Sequence, residues 1–324
     1  MHNRKGTRRL KQCWILVLVF SLAAYSQHRS ASSAIEWQPQ SLVGGSPVWF
    51  EVSVPAGTQA VSATWLGHEV RFFQAARSQA AVQKTVSTPK QKPPASETPW
   101  YALAGISVET SPGIYPLKLT EILRNGKSRE LTRSITIGRA VFPKITVTVA
   151  RQYTEPSAEQ LRQINADKDV KQRVFASEQP ERQWTGQFMA PVDAAISDVF
   201  GTERVFNGEV QSRHLGLDYA VGSGTPVHAI NRGQVILARS LYFEGNCIVL
   251  DHGQGLLSLY LHLSEFSVKE GEEVETGQLI GLSGGTGRAT GPHLHLAIRW
   301  QGMYLNPKSL LRLKIPPLPT GHDE

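Results

Sequence analysis

At 324 residues, with 40% hydrophobic and 19% charged residues, the chain has the composition of a globular protein long enough for two domains. Its formal charge of +7 hints at an anionic partner, but six of the basic residues (Arg4, Lys5, Arg8, Arg9, Lys11 and Arg29) fall in the first 34 positions, which carry no acidic residue. Without them the remainder stands at +1, so the charge points to neither nucleic acid nor a polyanionic surface as a partner.

Residues 1–34 read as a secretory signal peptide, with basic residues first, then the apolar run CWILVLVFSLAA at 13–24, then small residues. The run falls short of the about 20 apolar residues that span a bilayer, so no stable membrane insertion is expected after its removal. Cleavage after Ser26 and cleavage after Ala34 both fit the small-residue pattern. The mature chain then keeps one cysteine, Cys247 in NCIVLD, which reads as a buried strand residue and allows no intrachain disulfide. A periplasmic or secreted location follows.

From 35 to 150 short alternating runs are separated by turn signals. Val48, Phe50, Val52 and Val54 alternate with polar or amphipathic neighbours, as do Ile145, Val147 and Val149. Such runs at short spacing predict a β-sandwich of immunoglobulin-like kind. Within it, 75–99 is rich in Gln, Ser, Lys and Pro and is expected to be a mobile loop. His68, beside the turn at Gly67, is expected to be exposed. Residues 151–185 form a helical linker in this reading. Ser157 and Gln160 fit a capping box, and Leu161, Ile164, Val170 and Val174 supply only sparse apolar contacts, so the helix is expected to be a lightly packed spacer. A second, nearly all-β domain is expected over 186–315, with a tail at 316–324.

The chemistry lies in that second domain. In TGRATGPHLH, residues 286–295, His293 and His295 would share one face of a strand while Leu294 and Leu296 face a core. Neutral imidazole is both a zinc ligand and a group that titrates near neutral pH, so this pair can supply one ligand and one acid–base group. In RHLGLD, residues 213–218, His214 and Asp218 share a face with Gly216 leaving room between them. An imidazole and a carboxylate from one strand, joined by an imidazole from the other, leave the fourth tetrahedral position of a zinc ion for water, which is the catalytic arrangement. His262 ends LLSLYLH, residues 256–262, where Leu257, Leu259 and Leu261 take one face and Ser258, Tyr260 and His262 the other. HExxH is absent, and the glycines of GLSGGTGRATG, which include a GxSxG spacing at 281–285, precede a strand and not a helix, so they read as tight turns beside the site and not as a nucleophile elbow or a phosphate loop.

HLGLD, LYLHLS and TGRATGPHLH, in this order, resemble the motifs of the M23 zinc metallopeptidases, the lysostaphin and LytM-like peptidoglycan endopeptidases, over about 188–311. The resemblance implies an all-β protein in which a β-sandwich precedes an M23-type peptidase sheet. It also implies one Zn²⁺ per chain held by His214, Asp218 and His295, with His262 and His293 as the catalytic histidines. Peptidoglycan is the implied partner and substrate, its cross-links being D-Ala–diaminopimelate or glycine bridges. Which histidine acts as base stays open. If either must be neutral, activity should fall as pH drops through about 6.5. The alternative reading is a catalytically silent M23-like module that activates another cell-wall hydrolase. This chain departs from the common HLHFE continuation by reading HLHLA.

Overall fold

Strand Pro47–Pro55 sets the pattern of the first half of the molecule: Val48, Phe50, Val52 and Val54 are wholly buried, while Glu51 and Ser53 are not. This computed structural model describes residues 34–74, 97–146, 155–177, 179–206 and 209–318. The predicted signal peptide, most of the predicted loop and most of the tail lie outside the described residues. Pro47–Pro55 sits inside a four-stranded sheet, between Ala34–Gln38 and Glu97–Gly105, with Phe73–Gln74 at the edge. A five-stranded sheet built on Thr58–Trp65, Gly113–Leu123 and Ser128–Gly138 packs against it. Phe50 meets Trp65 edge to face across the two layers, with ring centroids 5.4 Å apart. The sandwich is the one expected from alternation.

The second half is organised by an eight-stranded sheet. Its order runs Ile196–Asp198, Leu217–Tyr219, Leu294–Trp300, Leu256–Leu263, Gly245–Asp251, Gly233–Leu241 and Glu273–Val274, with Met303–Leu305 also paired to Leu294–Trp300. Both faces are covered. One face, with Ile248, Leu250, Tyr260, Leu296 and Ile298, joins a continuous core that extends into the sandwich. The other, with Leu237, Val249, Leu257, Leu259 and Ala297, forms a smaller core beneath the helix Ala158–Phe175. Burial on both sides explains why these strands read as near-continuous Leu, Ile and Val runs.

Three expectations give way here. The helix is capped as expected, with the Ser157 hydroxyl accepting from Gln160 N and the Gln160 side chain accepting from Ser157 N. It is no loose spacer, however. Asp167 is buried and accepts from Tyr242 N at 2.6 Å and from Gln163 Nε2 at 2.7 Å, Lys171 pairs with Glu244, and Val170, Val174 and Phe175 close the smaller core. The single buried carboxylate was invisible to an apolar-periodicity reading. His68 is also not an exposed turn residue: its ring packs at a tilt against Trp300, with centroids 5.6 Å apart, and its Nδ1 pairs with Gln301 Oε1, at the junction of the two halves. Ile145, expected in the sandwich, lies on Lys144–Thr146, which pairs parallel with Glu203–Phe206 in a separate three-stranded sheet with Glu209–Arg213.

Candidate metal centre

Strand pairing brings the polar groups together as a by-product of burying the apolar ones. Leu217–Tyr219 runs antiparallel to Leu294–Trp300, with Leu217 opposite Leu296 and Asp218 opposite His295. Directly opposed residues share a face, so the register that buries both leucines sets Asp218 Oδ1 2.7 Å from His295 Nδ1 on the other side. His214 lies where Glu209–Arg213 and Leu217–Tyr219 are interrupted, and its Nε2 is 3.0 Å from both Asp218 Oδ1 and His295 Nδ1. Gly216 is required by this convergence, because a Cβ there would stand 2.3 Å from His295 Nε2. The space that glycine leaves is taken by the third ligand-type side chain.

The donor set suits a cation. Nδ1 of His214 faces the Val199 carbonyl at 2.9 Å and the Asp198 carboxylate at 3.3 Å, both acceptors, so it carries the ring proton and leaves Nε2 as a bare lone pair. In neutral imidazoles, at most one hydrogen, on His295 Nδ1, is then available to three electron-pair donors that face one another. A divalent ion satisfies all three at once. Tetrahedral zinc with bonds of about 2.0–2.1 Å needs donors about 3.3 Å apart, a few tenths of an ångström beyond the separations seen here. Electrostatics agree: burial opposes ionisation of Asp218, but hydrogen bonds to His214 and His295 and the charges of both rings hold its carboxyl well below the usual range. Burial likewise pushes His295 below its ordinary value, against the opposing pull of Asp218, which keeps the ring in its ligating form.

His262 and His293 reach the same cluster by different routes. His293 precedes Leu294–Trp300 and projects on the same side as His295, its Nε2 4.0 Å from Asp218 Oδ1. Nδ1 donates to the Gly291 carbonyl at 2.8 Å, leaving Nε2 as the lone-pair atom. For His262, strict alternation is wrong. Leu261 lies opposite His295, so Leu261 already faces the site and the next residue would face the main core. The pairing of Leu256–Leu263 with Gly245–Asp251 shifts between Asn246↔Leu263 and Ile248↔Tyr260, so Leu261 and His262 together oppose Cys247 alone. That bulge, with His262 at a φ of 63°, re-aims the imidazole to the site face, where its ring centroid is 4.7 Å from His293 and 6.1 Å from His295. Nδ1 of His262 donates to Thr286 O at 2.8 Å. Burial, then the neighbouring His295, push its pKa down to about 3. A loss of activity near pH 6.5 is therefore not to be sought in His262.

These five side chains line one cavity of about 630 Å³. Its walls include Arg204 and Arg213 from the separate hairpin, Phe175 from the helix, and Phe243 and Arg288 from facing corners. One functional candidate escaped the sequence: Asp198, sixteen positions before His214. Its carboxylate faces the His214 Nδ1 and is itself held by Thr202 Oγ1 at 2.7 Å and Val199 N at 2.8 Å. No spacing rule links it to the motif, because only the pairing of Ile196–Asp198 with Leu217–Tyr219 brings it there. His252 and His228 stay outside the cluster, His252 fully buried with both ring nitrogens bonded to Arg232 O and Ser258 Oγ at 2.7 Å.

An eight-stranded antiparallel sheet with a histidine–aspartate–histidine triad and two more imidazoles on one face defines a metallopeptidase-like site, and residues 212–307 match the sequence model of peptidase family M23. That segment of the chain is a peptidase M23 domain. It is 44% identical over 103 residues to the peptidoglycan DD-endopeptidase ShyA of Vibrio cholerae, a match covering 32% of this chain and 23% of ShyA. It is also 44% identical over 97 residues to the DD-carboxypeptidase/endopeptidase Mpg of Neisseria meningitidis, covering 30% of this chain and 22% of Mpg. The likeness thus spans about a quarter of the length of these curated relatives. A Pseudomonas aeruginosa crystal structure assigned to peptidase M23 matches with a TM-score of 0.56 at 26% identity, over 83% of this chain and 94% of that one.

Proposed function

We propose that the protein is an exported zinc endopeptidase that hydrolyses peptide cross-links of peptidoglycan, and that the bond is a DD-peptide bond rather than a glycine bridge. The observation that carries the reading is the triad itself: three lone-pair atoms within 3.0 Å of one another in an open cavity, with two imidazoles beside them that are oriented but not consumed by the protein's own hydrogen bonds. The choice of DD bond rests on the names of the relatives at 44% identity. Export rests on the basic and apolar leader, and no helix among the described residues is long and apolar enough to cross a membrane.

His214, Asp218 and His295 would hold one Zn²⁺. When bound, the ion supplies Lewis acidity, lowering the pKa of water and polarising a carbonyl. The remaining work falls to the protein. His262 and His293 each have Nδ1–H committed to a backbone carbonyl, so each offers Nε2 to accept a proton from the attacking water or, once protonated, to donate to the departing amine. Asp198 and Val199 O orient His214 by holding its Nδ1–H. The cavity walls exclude bulk water from one side and confine the peptide to the groove between hairpin and helix. The test is mass spectrometry of muropeptides released from purified sacculi by the zinc-loaded protein. New D-Ala carboxyl ends with matching free diaminopimelate amines support the reading. Release of no new ends, with stimulation of a second hydrolase instead, would establish the silent-module alternative.

A further inference from the structure

The two corners that meet beside His262 are locked together by one residue. Thr286 accepts from His262 Nδ1 through its carbonyl, and its hydroxyl donates to Leu263 O at 2.8 Å and accepts from Asn246 N at 2.9 Å. It therefore grips the imidazole, the next residue in that strand, and the partner strand at the other side of the bulge. Gly245 makes the approach possible: a Cβ there would lie 2.3 Å from Thr286 Oγ1. Around this point the backbone is under tension. His262 has the left-handed φ of 63° that residues with a side chain rarely adopt, and its N–H is pinned by Glu244 O at 2.9 Å. An unusual backbone conformation persists only where the surroundings over-determine it, and it clusters at functional sites.

We infer that Thr286 is a positioning residue: through its hydroxyl it fixes the bulge, and through its carbonyl it fixes the tautomer and direction of the His262 imidazole, so that Nε2 faces the cavity. The inference rests on the proposed peptidase activity and on His262 acting in it. Loss of the hydroxyl frees the corner while leaving His214, Asp218 and His295 untouched, so the deficit should appear in the chemical step and not in metal or substrate binding.

The test compares the zinc-loaded full chain with His262→Ala, Thr286→Val and Thr286→Ser, using a purified cross-linked muropeptide dimer. Thr286→Val removes the hydroxyl at nearly constant shape, and kcat should fall about 10–100-fold, the usual cost of removing a group that orients another. KM should stay within about twofold and zinc near one per chain. Thr286→Ser restores the hydroxyl and should recover most of kcat. In the unsubstituted chain, proton NMR should show a slowly exchanging His262 Nδ1–H resonance; its weakening in Thr286→Val is expected. An inactive unsubstituted chain, or full activity of His262→Ala, overturns the proposed function or the role of His262. If the unsubstituted chain is active and His262→Ala is not, full kcat in Thr286→Val overturns the inference. Should Thr286→Val fail to fold, a Thr286→Ser variant as slow as His262→Ala, or the lack of a protected Nδ1–H resonance in the unsubstituted chain, overturns it equally.

Discussion

Two polar clusters that contain histidine lie on opposite faces of the same sheet, and they differ in where their protons can go. On the main-core face, His252 Nδ1 meets Arg232 O, Nε2 meets the Ser258 hydroxyl, Ser258 and Tyr260 hydroxyls bond each other at 3.2 Å, and Tyr260 OH accepts from Ile230 N. Every polar side-chain atom in that row has a partner with which it shares a hydrogen. On the site face, His214 Nε2, Asp218 Oδ1 and His295 Nδ1 converge with at most one hydrogen among them. Both rows are largely buried and both contain imidazole. What separates a packed polar network from a binding site is an excess of acceptors that only an added cation or proton can satisfy.

The contrast is tested most severely within the pair His293 and His295. His295→Ala leaves two donors, so bound zinc should fall from about one per chain to near zero and activity with it. His293→Ala keeps the triad, so zinc should persist while kcat drops by about 10²–10⁴-fold, the usual contribution of a positioned acid–base group. Metal analysis beside the muropeptide assay checks both; the opposite pattern of zinc loss reverses the roles.

His252→Ala should do the reverse of either. It removes a satisfied network member, leaving Arg232 O and the Ser258 hydroxyl short of a partner, and should cost about 2–4 kcal/mol of stability while zinc content and kcat of the folded protein stay unchanged. Denaturant unfolding measures the first quantity. Loss of zinc at full stability would erase the distinction between the faces.

A smaller effect belongs to Asp198. Asp198→Asn weakens the grip on His214 Nδ1 without touching a triad atom, and zinc affinity should fall about 10–100-fold, with activity largely recovered at saturating zinc. Competition with a chromophoric chelator reads this directly, and unchanged affinity would remove Asp198 from the site.

The gentlest probe is pH on the metal-free protein. His262 titrates at about 3 in the fold, and burial also holds His252 below its ordinary value, against about 6.5 for both when unfolded. Below about 6.5 the unfolded chain therefore binds protons that the fold refuses, so stability is full above that pH and declines as pH falls toward 3. The slope should approach about 1.4 kcal/mol per unit for His262 alone. Asp218, whose folded pKa is depressed, keeps its full contribution above about 3.9 and loses it progressively as pH falls below that value. Thermal melts of chelator-treated protein that are flat from pH 7 to 4 would contradict the burial of these neutral rings.

Much of this was legible in one dimension. Alternation in PVWFEVSVP predicted a half-buried strand, and Ser157 and Gln160 predicted the helix start, because each is a property of neighbours within one element; HLGLD instead straddles a strand break, so His214 and Asp218 converge from either side of it and not by alternation on one strand. Gly216 was readable as a gap, though not as the seat of a third side chain. What the tertiary structure alone decided concerns register between distant segments. Leu257, Leu259 and Leu261 turned out to share the site's face, and His262 reaches it only because two residues of its strand oppose one Cys247 of the next. Asp198 meets His214 through strand pairing, and Asp167 docks a helix that its apolar residues barely specify. A sequence period reports the faces of a single strand or helix; a bulge or a cross-sheet hydrogen bond exists only when two such elements are laid side by side, and that choice is made by the packing of the whole core.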